Sequence, residues 1–156
     1  MGKEIDAYTK KLSNVIHWGQ QCTDLEAQAH WGRYLCVLIS GFLEVAIAEI
    51  CYQYVKNRAG INVTSFVTRT VQKTVYNPKL EAIKQLANRF NDDWGNNVDE
   101  LLSDKQKAAI GNIIQNRHNI AHGRDSDLSF AKTCEYFNDV REAVRLLEDA
   151  FDNNFE

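Results

Sequence analysis

An arginine and two histidines lie within one six-residue stretch, which begins at Arg117, continues with His118 and ends at His122. An imidazole titrates near neutral pH, so it can accept or release a proton during a reaction. A guanidinium keeps its charge and binds phosphate or carboxylate oxygens. Together these groups can hold an anionic substrate and move a proton to or from a hydroxyl group.

The stretch is predicted on a helix, with Arg117 in the middle of its apolar side. At about 100° per residue, Arg117 falls within the stripe made by the preceding isoleucines and Ala121. A guanidinium on a dry side needs a carboxylate, water in a cleft or an anionic ligand. A buried salt bridge to Glu44 is the structural alternative to a functional role. The isoleucines are Ile110, Ile113 and Ile114.

The two histidines are predicted on a neighbouring side of this helix. His118 and His122 are four residues apart and project together, whereas Arg117 and His122 diverge by about 140° while the helix is regular. Gly123 is a good left-handed residue after a helix, so His122 is predicted to end the helix beside a loop. His122 could equally serve only as a capping residue that favours the helix dipole, and His118 only as a surface residue.

The motif from Arg117 to His122 resembles the Arg-x4-6-His signature of the HEPN superfamily, in which a polar residue follows the arginine. The phrase Ile120-Ala121-His122-Gly123, the length and the helical pattern also resemble HEPN domains, the RiboL-PSP-like branch or a close relative. The resemblance implies an all-α, up-and-down bundle of about four long helices plus short ones. It further implies a metal-independent endoribonuclease that leaves a 2′,3′-cyclic phosphate, acting as a toxin, phage-defence effector or RNA-processing enzyme.

The resemblance also assigns roles and partners. Arg117 would stabilise phosphate, His122 would transfer the proton, and His118 would occupy the supporting position. Asn119 is a further supporting candidate, and Arg124 a candidate for binding RNA. HEPN sites are usually formed where two domains pair, so the resemblance implies a homodimer with a composite site. Protein partners of the kind it suggests are an antitoxin or a nucleotidyltransferase. No cofactor is expected.

Glu44 is the unusual residue of a long apolar segment. Its helical neighbours include Ser40 and Gly41, which are small enough to let another element approach closely. Glu44 is therefore predicted as a structural residue or as a support for Arg117 or His122. A zinc site at His118 and His122 is the rival use of the same residues. It lacks the glutamate of the H-E-x-x-H pattern and a third ligand nearby, so no metal is predicted.

Composition and length limit the functional classes. The chain has 156 residues, a net charge of −3 and 44% hydrophobic residues, which predicts a single soluble globular domain over residues 1–156. This charge argues against broad coating of nucleic acid. RNA would have to bind a local patch, and residues 115–124 carry four basic or titratable side chains without an acid.

The sequence predicts a cytoplasmic protein. The N-terminus has no apolar signal core, and the four cysteines show no C-x-x-C pair, as expected for buried thiols in a reducing compartment. The apolar run from Tyr34 to Leu43 ends at Glu44, short of the roughly 20 residues of a membrane span.

Helices are predicted over 4–21, from a capping box at Thr23 to about Asn57, and, with a strand as the alternative, over 61–76. Asn77 and Pro78 are predicted to open a helix to about Phe90. A turn-rich connection follows over 91–97, then a short helix over 98–102. A capping box at Ser103 begins the helix of Arg117, and Ser129 caps the last helix.

Two other functions remain open. A catalytically silent HEPN module could bind RNA, a nucleotide or a protein, as the acidic balance and a Glu44 to Arg117 salt bridge would favour. A helical assembly module could instead use its long apolar helix for pairing.

Overall fold

The computed structural model describes residues 2–156, which form seven α-helices and no strand. Four of the helices have 18 residues or more and three are shorter, which confirms the predicted all-α bundle of about four long helices plus short ones. The helices are α1 (Lys3–Gln20), α2 (Leu25–Lys56), α3 (Ile61–Thr74), α4 (Leu80–Asn88), α5 (Trp94–Leu101), α6 (Asp104–Ala121) and α7 (Phe130–Asp152).

Helix α2 is the centre of the bundle. It packs against α1, α3, α6 and α7, as expected for a helix that is apolar on nearly all sides. Within residues 2–156 it is the one helix long and apolar enough to cross a membrane by length and composition. More than half of its most apolar window, 56%, is buried inside the bundle, a pattern that the core helix of a soluble protein also gives.

The long helices alternate in direction around α2. Gly41 of α2 lies against the Tyr8 hydroxyl of α1, while the N-terminus of α1 reaches Glu49, so α1 is antiparallel to α2. Helix α7 runs parallel to α2, because Gly32 packs on the Phe130 backbone at one end and Arg58 donates to the Asp152 carbonyl at the other. The short helices α3 to α5 connect α2 to α6.

The prediction for residues 91–97 was wrong in part. Helix α5 begins at Trp94, where a turn was predicted. The Trp94 side chain is only 4% exposed and packs edge-on against Tyr54 and Phe151, with Phe155 also in ring contact. Burial of this aromatic surface overrides the polar, turn-forming composition around it.

Two predicted helix starts were displaced. Asp24, not Thr23, caps α2 by accepting from the Ala27 N–H at 2.7 Å. Helix α4 begins at Leu80 rather than at Pro78, because Asn77 has a positive φ of 46° and is engaged by side chains of α2. The predicted helix over 61–76 is confirmed as α3, which ends two residues earlier at Thr74.

The cysteine side chains are free thiols. Cys36 and Cys51 are buried, and burial raises the pKa of each to about 12. A thiol of that pKa carries almost no thiolate at neutral pH, so these two cysteines act as packing residues.

Candidate active site

Helix α6 is anchored in the core over its first part and leaves the core toward its end. Ser103 accepts from the Gln106 N–H, and the Gln106 side chain accepts from the Ser103 N–H at 2.9 Å, which confirms the capping box. Ile110, Ile113 and Ile114 are buried, and the Cys36 thiol of α2 donates to the Ile113 carbonyl at 3.5 Å. Beyond Ile114 no residue of α6 is fully buried, so the motif lies where the helix leaves the core.

The predicted end of α6 is confirmed. His122 is the C-cap residue and Gly123 has a φ of +64°. The Arg124 N–H donates to the Asn119 carbonyl at 2.9 Å, and the Gly123 N–H to the Ile120 carbonyl at 3.2 Å. This is the Schellman pattern, and it folds the basic residue Arg124 back beside the last turn.

Arg117 is half-buried rather than enclosed on a dry side. Its Nη2 donates to the Tyr76 hydroxyl at 3.2 Å, and its Cζ lies 5.6 Å from the centre of the Tyr76 ring. Within residues 2–156 no carboxylate forms an ion pair with Arg117. The guanidinium therefore keeps its charge available at the surface.

Glu44 lies close to this site but binds a different group. Its Oε1 accepts from the Asn77 N–H at 2.8 Å, and the Ser40 hydroxyl donates to the Asn77 Oδ1 at 3.2 Å. The small residues around Glu44 thus leave room for the connection between α3 and α4. Glu44 fixes the residue next to Tyr76, and through Tyr76 it is linked to Arg117.

The two histidines form a pair on the exposed side of the last turn. The His118 and His122 rings are 4.4 Å apart between centroids and inclined by 56°. Partial desolvation lowers the pKa of His118, as do the positive charges of Arg124, Lys79 and Arg117 and the neighbouring His122. All of these charges act in one direction, so the site is a local positive patch on an acidic protein.

The pKa of His118 gives a direct measure of this patch. In an NMR titration we expect its midpoint to lie below that of a free histidine side chain, because partial desolvation and the neighbouring positive charges both disfavour the imidazolium. Lys79→Gln should raise the midpoint, since it removes one of those charges, and bound inorganic phosphate should raise it further. Lys56→Gln, on the last turn of α2, is the charge-matched control. If neither Lys79→Gln nor phosphate shifts the midpoint of His118, the proposal of a local positive patch is contradicted.

The remaining predicted residue, Asn119, is engaged within α6. Its Oδ1 accepts from Gln115 Nε2 at 3.2 Å, and its carbonyl accepts from the Arg124 N–H at the helix end. The structure thus brings Arg117, His118, His122 and Arg124 into one patch. Arg117 hydrogen-bonds to Tyr76, whereas His122 lies against His118.

Sequence reasoning missed Tyr76 and Lys79. Both belong to the connection between α3 and α4, and both approach the motif only through folding. One signal was present: residues 50–80 contain five basic residues and no acid. Such a segment in a chain of negative net charge indicates an anion-binding surface.

The groove between α1, α2 and α3 does not include the motif. It is lined by Glu4, Glu44 and Glu49 together with Tyr52, an acidic lining that disfavours an anionic ligand. In the described part of the chain, no three His, Cys, Asp or Glu side chains are grouped to hold a metal ion. His118 and His122 therefore have no third protein ligand there.

The family model described as RiboL-PSP-HEPN matches residues 3–153, nearly the whole chain. No curated protein and no solved structure gives a significant match. The family match covers all seven helices and the patch at the end of α6.

Proposed function

The chain belongs to the RiboL-PSP-HEPN family, and we propose that it is a metal-independent endoribonuclease. HEPN domains are generally ribonucleases or nucleotide-binding modules. The observation that supports cleavage is the unpaired guanidinium of Arg117 beside two imidazoles at one helix end. A silent structural arginine would be expected to have a carboxylate partner, whereas within residues 2–156 the one side-chain hydrogen bond of Arg117 is to the Tyr76 hydroxyl.

In the proposed reaction the ribose 2′-oxygen attacks the neighbouring phosphorus. The bond from phosphorus to the 5′-oxygen breaks, which leaves a 2′,3′-cyclic phosphate and a 5′-hydroxyl. His122 takes the 2′-hydroxyl proton or supplies a proton to the leaving 5′-oxygen. Arg117 donates to the phosphate oxygens and offsets the charge that develops on them in the transition state.

The other members of the patch support this reaction. The lowered pKa of His118 favours its neutral imidazole, which can accept a hydrogen bond from a ribose hydroxyl. Arg124 and Lys79 lie within electrostatic reach of His118, and we assign them to the flanking phosphates of the RNA. Asn119 and Glu44 hold the helix end and the α3–α4 connection in place.

The proposed active form is a homodimer with a composite site. Arg117 donates to Tyr76 while the tilted His122 ring lies against His118, and residues five apart on a regular helix diverge by about 140°, so we infer that the two proposed catalytic side chains do not converge within one protomer. A twofold axis beside the patch would bring Arg117 of one protomer toward His122 of its partner. A cytoplasmic toxin or phage-defence effector, held inactive by an antitoxin or modified by a nucleotidyltransferase, is the biological role that we propose.

Product analysis in a chelator tests the reaction type. The purified protein should cleave single-stranded RNA in EDTA and leave 2′,3′-cyclic phosphate ends, because no step needs a metal. His122→Ala should abolish these ends, whereas His17→Ala on α1 is the matched control and should not. Cleavage that survives His122→Ala, or that EDTA removes, would contradict the proposal.

A silent RNA-binding module is the second candidate, and the separation of Arg117 from His122 favours it. It predicts RNA binding without cleavage, weakened by salt in proportion to the phosphates contacted. The same assay therefore separates the two functions.

A further inference from the structure

We propose that Tyr76 is the stacking platform for an unpaired base of the RNA, next to the phosphate that Arg117 binds. The inference rests on the proposed function, because it names how that site recognises a nucleotide. It assigns Tyr76 as a binding residue and single-stranded RNA as the ligand.

Tyr76 is unusually exposed for an aromatic residue beside a charged cluster. Its side chain is 69% accessible, although the neighbouring Val75 and Pro78 are buried. The hydroxyl accepts from Arg117 at 3.2 Å, and most of the ring surface remains free. Aromatic rings that are exposed beside cationic side chains bind bases of single strands without needing a paired partner.

The ring is also held in position, as a binding platform requires. Asn77, the next residue, is fixed to Glu44 and Ser40 of the central helix, and the Val75 N–H donates to the Val71 carbonyl at 2.8 Å. The backbone on both sides of Tyr76 is therefore anchored. A preorganised platform loses little conformational freedom when a base stacks on it.

The charges around Tyr76 favour RNA over a protein partner. Lys73 lies in the last turn of α3 before Tyr76, Lys79 follows Tyr76 by three residues, and Arg117 donates to its hydroxyl. No acidic residue occurs between Glu49 and Glu81. This combination of one exposed ring with three cations matches a strand whose bases stack while its phosphates are neutralised.

The stacking is tested by measuring how substitutions of Tyr76 change the affinity for two RNA strands, one with bases and one without. One probe is a 2′-O-methyl oligoribonucleotide, which cannot be cleaved because its 2′-oxygen is blocked. The other is an abasic strand with the same number of phosphates. We expect Tyr76→Ala to weaken binding of the first by about tenfold and of the second by less than about twofold. Tyr76→Phe should bind both nearly as the wild type does, since it keeps the ring.

Phe66→Ala is the matched control, because Phe66 is 71% exposed on α3 and lines a groove with Asn62 and Arg69 that does not include Arg117, His118, His122 or Arg124. It should leave both affinities unchanged. An equal loss on both strands with Tyr76→Ala would assign Tyr76 to the placement of Arg117 and overturn the stacking proposal. No loss on either strand, no binding by the wild type, or a change only in oligomeric size would overturn it as well.

Because binding is measured on an uncleavable strand, the outcome does not depend on nuclease activity. Base-dependent binding through Tyr76 without cleavage of natural RNA would remove the nuclease proposal alone. Cleavage of natural RNA, together with an equal effect of Tyr76→Ala on binding of the two strands, would remove the stacking proposal alone.

Discussion

Arg117→Ala is expected to lower the rate of RNA cleavage by about 100-fold to 1,000-fold, the effect of removing one donor that stabilises transition-state charge. The guanidinium is half-buried, and among the described residues its one side-chain hydrogen bond is to the uncharged Tyr76 hydroxyl, so its charge is available to a phosphate. The loss should appear in kcat and kcat/KM alike, because the interaction strengthens as the charge on the phosphate develops.

Arg117→Ala should hardly change the stability of the folded protein. Arg117 forms no ion pair among residues 2–156, and the thermal midpoint should stay close to that of the wild type. Arg117→Lys should keep part of the activity, because an ammonium retains the charge but not the planar pair of donors.

Arg141→Ala is the control for the Arg117 experiment, since it removes the same side chain from the exposed side of α7. It should leave cleavage unchanged. If Arg117→Ala and Arg141→Ala reduce the rate equally, a general loss of positive charge would explain the effect, and Arg117 would have no catalytic role.

Much of the geometry of α6 could be predicted from the sequence, because it depends on local interactions. The capping box at Ser103 and the helix end at Gly123 each need only residues a few positions apart, and both are confirmed. Periodicity also identified which isoleucines face the core. It could not show that the core ends at Ile114, because where a helix leaves a bundle depends on the length of its neighbours.

The surroundings of Arg117 could not be predicted for the same kind of reason. Asn77 followed by proline is typical of a helix start, yet Glu44 and Ser40 bind Asn77 and displace that start by two residues. The same hydrogen bonds bring Tyr76 to Arg117 across 41 positions of sequence. Long-range hydrogen bonds leave no periodic signal, so a salt bridge from Glu44 to Arg117 was the natural alternative and is not what the structure contains.

Heterodimers of two inactive variants should recover activity if the site is composite. Suppose that each site takes Arg117 from one protomer and His122 from its partner. A dimer of one Arg117→Ala chain and one His122→Ala chain then keeps one complete site of two, so it should cleave at about half the wild-type rate. The two chains can be co-expressed with different affinity tags, and the heterodimer isolated by successive purification on both.

The reciprocal heterodimer is the matched control and gives the opposite expectation. It pairs a wild-type chain with a chain that carries both substitutions, so each composite site lacks either its arginine or its histidine and the dimer should be inactive. If instead each protomer holds its own complete site, the reciprocal heterodimer would be half-active and the first one inactive. Because both heterodimers contain the same four motif positions with the same two substitutions, they differ only in which chain carries each change. The sign of the difference between their rates therefore decides whether Arg117 and His122, which have different partners within one protomer, act together across the dimer.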